Sequence, residues 1–403
     1  MKINGGLPMN KFARRNGSFR SFLIQTIPLE LVLLGLLAVL PGLAYAAPVF
    51  PSYTVIDLGT LPGGNESLAY GINNAGQVVG DSTVPPVGGV VTTHGFLCTI
   101  DKDGIKTMTD IGTLGGRHSR ARGINNLGQI AGTSEPEPYV NHAFRYTIGI
   151  DGPGTMEDLG ALPGADASSG TAINNLGQVV GTSMVPAESG FWPYHAFRYT
   201  DPGPMADLGP VGAYAQTEAY GINDNGWVVG LATGAGGGLG HAFLYANGVM
   251  RDIGAPLTGY YTKATGINNA GHIVGWARPL TGGGTYAFLY LNETTVTPLG
   301  TLGGNNCYAT GLNNVGQVVG HDTTPFGFQH PFLWMQNTLK DLTSLVVGTN
   351  PFAQLLAATA INDGGWITGY GKMPDNSIHA FLAIPGPSKK PGYVPYDLLL
   401  LAD

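Results

Sequence analysis

The stretch Gly71-Ile72-Asn73-Asn74-Ala75-Gly76-Gln77-Val78-Val79-Gly80 decides how this chain folds. It returns at 123–132, 172–181, 221–230, 266–275, 311–320 and 360–369, which makes seven copies. Every copy keeps Asn at its third position, Gly at its sixth and Gly at its tenth. The Asn-x-x-Gly spacing fits a tight β-turn. The Asn side chain bonds its own backbone, and the Gly at the last corner accepts a left-handed conformation. Ile or Leu before the turn and Val or Ile after it are strand formers. Each copy therefore predicts a β-hairpin.

Two shorter motifs recur between the hairpins. One is His-Ala-Phe or a variant, at His94, His142, His195, His241, Tyr286, His330 and His379, and it reads as a third strand. The other is Asp-Leu-Gly, at Asp57, Asp110, Asp158, Asp207 and Asp252, with decayed copies at Pro298 and Asp341. It reads as a fourth strand that ends in a turn. Four antiparallel strands with hairpin Asn residues every 45 to 52 positions match a propeller blade. A unit of this size cannot bury its own sheet and needs its neighbours. The fold class expected is all-β, a seven-bladed β-propeller of four-stranded antiparallel blades; an irregular β-solenoid is the rival.

The phase of the repeat favours a closed ring. The chain opens with a lone fourth strand, Tyr53 to Leu58, and closes with a third strand, His379 to Ile384, that lacks a good fourth. One missing strand at each end makes one whole blade when the ends meet, which also hides the sheet edges. A solenoid would want polar capping units, and none is present. Tyr396-Asp397-Leu398 in the tail could compete for the same place.

Outside the repeats, residues 1–46 read as an export signal. Lys2, Lys11, Arg14, Arg15 and Arg20 precede an apolar run from Leu31 to Leu40, and Ala44-Tyr45-Ala46 suggests cleavage before Ala47. The expected organisation is a signal at 1–46, a linker at 47–52, the propeller at 53–384 and a tail at 385–403. Ten apolar residues are too few to span a bilayer, so no membrane span is expected in the mature chain. The formal charge of -7 becomes -11 once the signal, with five basic residues and Glu30, is removed. That balance speaks against nucleic acid. Cys98 and Cys307 occupy different places in different repeats and are expected to be unbridged.

Tandem Gly-Ile-Asn-x-x-Gly-x-Val-x-Gly, His-Ala-Phe and Asp-Leu-Gly segments behind a signal peptide resemble the bacterial extracellular HAF-repeat proteins. The resemblance covers residues 53–384. It implies export, to the periplasm, cell surface or medium of a bacterium, and a β-propeller-like repeat fold. It implies no activity. Some such proteins end in a Pro-Glu-Pro sorting tail; this chain has Pro385-Gly386-Pro387 without the Glu or a long apolar span.

Several motifs invite chemistry and have plainer explanations. Six of the nine His occupy the third-strand slot. Equivalent positions on successive blades diverge round a ring, whereas a metal needs imidazoles within about 2 Å of one ion. Hydrogen bonding of half-buried groups accounts for them. Gly80-Asp81-Ser82 resembles the start of a serine-hydrolase motif, but its counterparts include Gly230-Leu231-Ala232 and Gly275-Trp276-Ala277. No nucleophile elbow and no His-Glu-x-x-His helix occurs. Asp101-Lys102-Asp103-Gly104 has the flavour of a calcium loop, yet a type I turn explains it fully. No metal and no cofactor is expected.

The variable segments fall between hairpin and third strand, and between fourth strand and the next hairpin. Because strands alternate in direction, both sets emerge on one face of the ring. Loop variation on one face of a rigid scaffold is the usual place for binding. The expected contacts there are Arg117, Arg120, Trp192, Tyr194, Tyr260 and Tyr261, the aromatic and guanidinium types enriched at recognition sites. The first reading is an exported monomeric binding or scaffold module for a glycan, an envelope component or a protein. A hydrolase or lyase working in the central funnel is the second, and a purely structural surface protein the third. With no constellation of acids, bases or metal ligands legible, the sequence reads as a non-enzyme.

Overall fold

The computed structural model describes residues 48–149, 154–186, 193–234, 239–257, 259–292 and 295–386. The segment expected to be an export signal, Trp192 and the tail from 387 onward lie outside them.

Seven four-stranded antiparallel sheets form a ring, the seven-bladed propeller read from the repeats. Blade 1 is β2 (Ser67–Ile72), β3 (Val78–Val87), β4 (Val90–Ile100) and β5 (Lys106–Asp110), and the later blades repeat this order. β2 and its equivalents are the inner strands. Among the described residues there is no α-helix, and the only helical element is a 3-10 turn at Leu342–Leu345. The ring closes as the phase of the repeats required. β1 (Tyr53–Gly59) pairs antiparallel with the last strand, Ile378–Pro385, from Tyr53 opposite Pro385 to Asp57 opposite Phe381. Between the sheets the Phe of each third strand, from Phe96 to Phe381, is wholly buried.

Each Asn-x-x-Gly segment is the expected turn. In the first, the Asn73 carbonyl accepts from Gly76 N–H, and its side-chain oxygen accepts from Ala75 and Gln77 N–H. Gly76, Gly128, Gly177, Gly226, Gly271, Gly316 and Gly365 all have φ between +73° and +82°. A Cβ on Gly316 would meet nothing within 4 Å. Gly316→Ala therefore isolates the left-handed strain and should lower stability by about 1 kcal/mol in urea unfolding. A midpoint unchanged from the parent would contradict that origin.

The turns also lace the blades together, a role the repeat alone did not disclose. The third-position Asn of each blade donates through Nδ2 to the carbonyl of the same Asn in the next. The bonds are 2.9–3.1 Å and run from Asn73 to Asn125 and onward until Asn362 returns to Asn73. The fourth position repeats the pattern, its N–H donating to the next blade's side-chain oxygen at 2.9–3.0 Å. The acceptor there is the Oδ1 carried on Cγ, which Asp shares with Asn, so Asp224 and Asp363 substitute for Asn without breaking the ring.

On the outer side the other two motifs form one circuit. His94 Nδ1 lies 2.7 Å from Asp110, whose other oxygen accepts from Gly112 N–H. The Gly112 carbonyl accepts from Ser119 of blade 2, and that hydroxyl in turn accepts from Gly95 N–H. Burial alone would raise the Asp110 carboxyl; the His94 and Gly112 hydrogen bonds outweigh it and hold it low. Blade 5 carries Tyr286 and Pro298 in the His and Asp places, and blade 6 supplies Cys307 where Ser119 would stand. The circuit has decayed as a unit.

Cys98 and Cys307 are free and each is 1% exposed. Burial pushes the Cys98 thiol up to about 11 and Cys307 further still. Neither should react with a disulfide reagent at pH 8 in the native protein, and both should react once it is unfolded. Native-state labelling of either would contradict this packing.

Candidate functional site

The inner strands enclose a channel with two unlike ends. On the turn face the repeated Ile-Asn-Asn or Ile-Asn-Asp triplets line a cavity of about 210 Å³ whose walls are almost identical from blade to blade. On the variable-loop side lies a funnel of about 680 Å³ whose wall differs in every blade. Among the described residues no group of three His, Cys, Asp or Glu is placed to hold a metal. At the surface turn Asp101–Gly104, Asp101 accepts from Asp103 and Ile105 N–H, as a turn does.

Three columns of the repeat make the funnel wall. The residue just before each repeat is Tyr70, Arg122, Thr171, Tyr220, Thr265, Thr310 and Thr359 from blade 1 to blade 7. The four Thr hydroxyls each donate across to the inner strand of the next blade: to the carbonyls of Ala219, Ala309, Ala358 and Ala69 at 2.8–2.9 Å. In blades 1, 2 and 4 that bond is given up, and Tyr70, Arg122 and Tyr220 line the funnel. The column two residues earlier supplies Glu218 and Lys263, and the one following the tenth-position Gly supplies His321 and Tyr370; Arg120 and Tyr308, and Asp81 and Trp276, hold the equivalent places in neighbouring blades.

These residues form two charged clusters and an aromatic arc. In the first cluster the Arg122 guanidinium lies 4.0 Å over the Tyr70 ring, and Arg120 Nε is 3.5 Å from Asp81. In the second, Lys263 Nζ lies 3.5 Å over the Tyr220 ring, and Tyr220 donates its hydroxyl to Glu218. The arc runs from blade 5 to blade 6. Tyr261 stacks on Trp276 at 5.6 Å, Trp276 meets Tyr308 edge-on at 5.5 Å, and Tyr308 stacks on His321 at 5.1 Å.

Burial sets the protonation of the wall. Desolvation raises the Asp81 carboxyl, and Arg122 and Arg120 only partly offset it. Desolvation likewise lowers the Lys263 amine against the pull of Glu218, and takes His321 down to about 4. Neutral at pH 7, His321 holds its Nδ1 without a hydrogen-bond partner. Tyr70 and Tyr220 are both raised, first by burial and then by their acidic neighbours.

The six residues expected at the binding face are distributed unevenly. Tyr194, 42% exposed, lines the funnel. Arg120 reaches Asp81 in its wall and Tyr261 belongs to the arc. Tyr260, its neighbour on the strand, turns instead to Tyr286 and packs against the core of blade 5. Arg117 sits in the loop before blade 2, its N–H donating to Glu135. Sequence reasoning missed Tyr70, Arg122, Glu218, Tyr220, Lys263 and His321, and weighed Asp81 only as part of the Gly80-Asp81-Ser82 segment. Their signal was present: they are departures from the repeat in columns that face the axis.

No protein-family model and no curated protein matches the sequence. Solved structures are similar to this chain in part. A candidate gluconolactonase is 13% identical, with 83% of this chain and 92% of that one covered and a TM-score of 0.38. A Hadza microbial sialidase is 10% identical over 83% and 66% of the two chains, at 0.38. An α-L-arabinofuranosidase from Podospora anserina, solved with cellotriose, is 9% identical over 53% and 89%, at 0.27. At these identities and TM-scores the likeness assigns no role to this chain. The non-enzyme reading is corrected on other ground: a missing sequence motif excludes nothing when a funnel assembles its groups from seven separate blades. No helix among the described residues is long and apolar enough to cross a membrane.

Proposed function

We propose that this chain is an exported binding protein of the HAF-repeat kind, and that it seats a glycan in the funnel on its variable-loop side. The observation that carries the reading is the broken Thr column. Four blades use that position to tie themselves to the next, and three surrender the bond to place Tyr70, Arg122 and Tyr220 in the cavity. Giving up a structural hydrogen bond for a large polar side chain on the axis supports a site under functional demand. The aromatic arc beside it supplies flat apolar faces next to charged donors and acceptors, the mixture that concave small-molecule sites use.

The test is to restore the column. A Tyr70→Thr, Arg122→Thr, Tyr220→Thr variant regains the lacing to Ala121, Gly170 and Ala264. It should melt at or above the parent temperature and lose glycan binding at least tenfold on an array. Leu127→Ala, an exposed change on the turn face, should leave binding intact. If the restored variant still binds, the funnel is not the seat.

One observation favours a second reading, turnover of the ligand in the same place. Lys263 in the cavity and Asp81, bonded to the lining Tyr70, are both pushed toward neutrality, as acids and bases are in active sites. Prolonged incubation of a bound glycan, followed by mass spectrometry, separates the two: new products that vanish with Asp81→Asn support turnover, and an unchanged ligand refutes it.

A further inference from the structure

The funnel is more basic than the protein that contains it. The whole chain has a formal charge of -7. In and around the funnel stand Arg120, Arg122, Lys263 and, at 5.7 Å from the Tyr261 ring, Arg278, against the carboxylates of Asp81 and Glu218. Both acids are engaged, Asp81 by Arg120 and Glu218 by the Tyr220 hydroxyl. Arg122 and Lys263 feel Asp81 and Glu218 only at longer range. Among the described residues neither has a carboxylate within ion-pair distance; each lies on the face of a tyrosine from the preceding blade.

A cation resting on an aromatic face is held in position while its N–H groups stay free to bond elsewhere. At Lys263 desolvation is strong enough to lower the amine, so the cavity leaves this charge undercompensated. The two pairs also stand apart, in blades 1 and 2 and in blades 4 and 5, with blade 3 between them on one side and blades 6 and 7 on the other. A ligand that touches both must cross the funnel. Its charge would complete what the wall lacks.

We infer that the glycan seated here is an acidic one, an oligosaccharide whose anionic groups bond the Arg122 guanidinium and the Lys263 ammonium while its rings lie against the Tyr261–Trp276 side. The inference rests on the funnel being the glycan seat. Carboxylate and sulfate groups share the required chemistry, and the test separates them.

Tetragalacturonate, a sulfated galactose tetramer and neutral cellotetraose are titrated calorimetrically into the full mature chain. The same is done with Arg122→Gln, Lys263→Gln and the column-restored triple variant. At least one acidic tetramer should bind ten times more tightly than cellotetraose. Each single Gln variant should bring it down to the level of the neutral sugar, and Leu127→Ala, on the turn face, should leave binding of every tetramer unchanged. Preference between the two acidic tetramers then assigns carboxylate or sulfate. Equal binding of neutral and acidic tetramers, or acidic binding untouched by both Gln variants, overturns the inference. If cellotetraose alone binds and the triple variant abolishes it, the funnel stands as the seat and only its acidic preference falls. Binding of none of the three overturns the acidic inference together with the glycan reading.

Discussion

A chain that begins at Thr60 should melt about 10 °C or more below one that begins at Pro48. The segment removed is β1, which buries Tyr53, Val55 and Leu58 at 0%, 4% and 1% exposure. At roughly 1.5–3 kcal/mol per buried side chain, these three contribute on the order of 5–9 kcal/mol. That is an upper figure, because an unfolded chain is already partly compact. It is comparable with the whole margin of about 5–15 kcal/mol that keeps a domain folded, and each kcal/mol moves the midpoint by about 2–4 °C in domains of some 150–250 residues. The loss also cuts the hydrogen bond from Tyr53 to the Gly365 carbonyl and the Asp57–His379 pair. It bares an edge at the final strand as well, so self-association should accompany the drop. Adding a peptide of residues 48–59 should restore the midpoint. A truncated chain that melts like the parent would show that the ring holds without its closing strand.

The second large effect is expected at the turn ring, with Asn125→Ala. Its side chain is 4% exposed and makes four hydrogen bonds. It donates to the Gln129 side chain and the Asn174 carbonyl, and accepts from Leu127 and Gln129 N–H. Removing it leaves buried partners unpaired, at about 3 kcal/mol in total when each bond counts for roughly 1 kcal/mol or less. Leu127→Ala, two residues away and 71% exposed, should shift the urea midpoint by less than about 0.5 kcal/mol equivalent. If both changes cost the same, the ring is not what holds neighbouring blades in place.

The architecture was legible because the features that build it are repeated. Asn73 and its six counterparts face the same task in every blade, and one task repeated seven times stands out in a sequence. The recurring His was rightly read as a hydrogen-bonding group, and the Asp of the fourth strand proves to be its partner. The wall of the funnel hid for the opposite reason. Arg122, Glu218 and Lys263 recur nowhere in their columns, stand far apart in the chain and face one funnel only because the blades stand round one axis. Loop position pointed to Tyr194, Arg120 and Tyr261. It also pointed to Tyr260, which strand alternation turns into the core, a distinction that depends on register and not on residue type. Gly80-Asp81-Ser82 shows the same limit. Ser82 is the structural member, accepting from Leu61 N–H and donating to the Glu66 carbonyl, whereas its neighbour Asp81 alone faces the axis.

The pairing that completes the ring also fixes an order of assembly. Six blades are built from strands that follow one another directly in the chain; the seventh joins Thr54 to Ile384. Contacts this distant in sequence form slowly, since the ends must find each other before any bond rewards the search. As the chain emerges from its amino terminus, hairpins and then blades can fold one after another. The first strand made waits unpartnered until the last is finished.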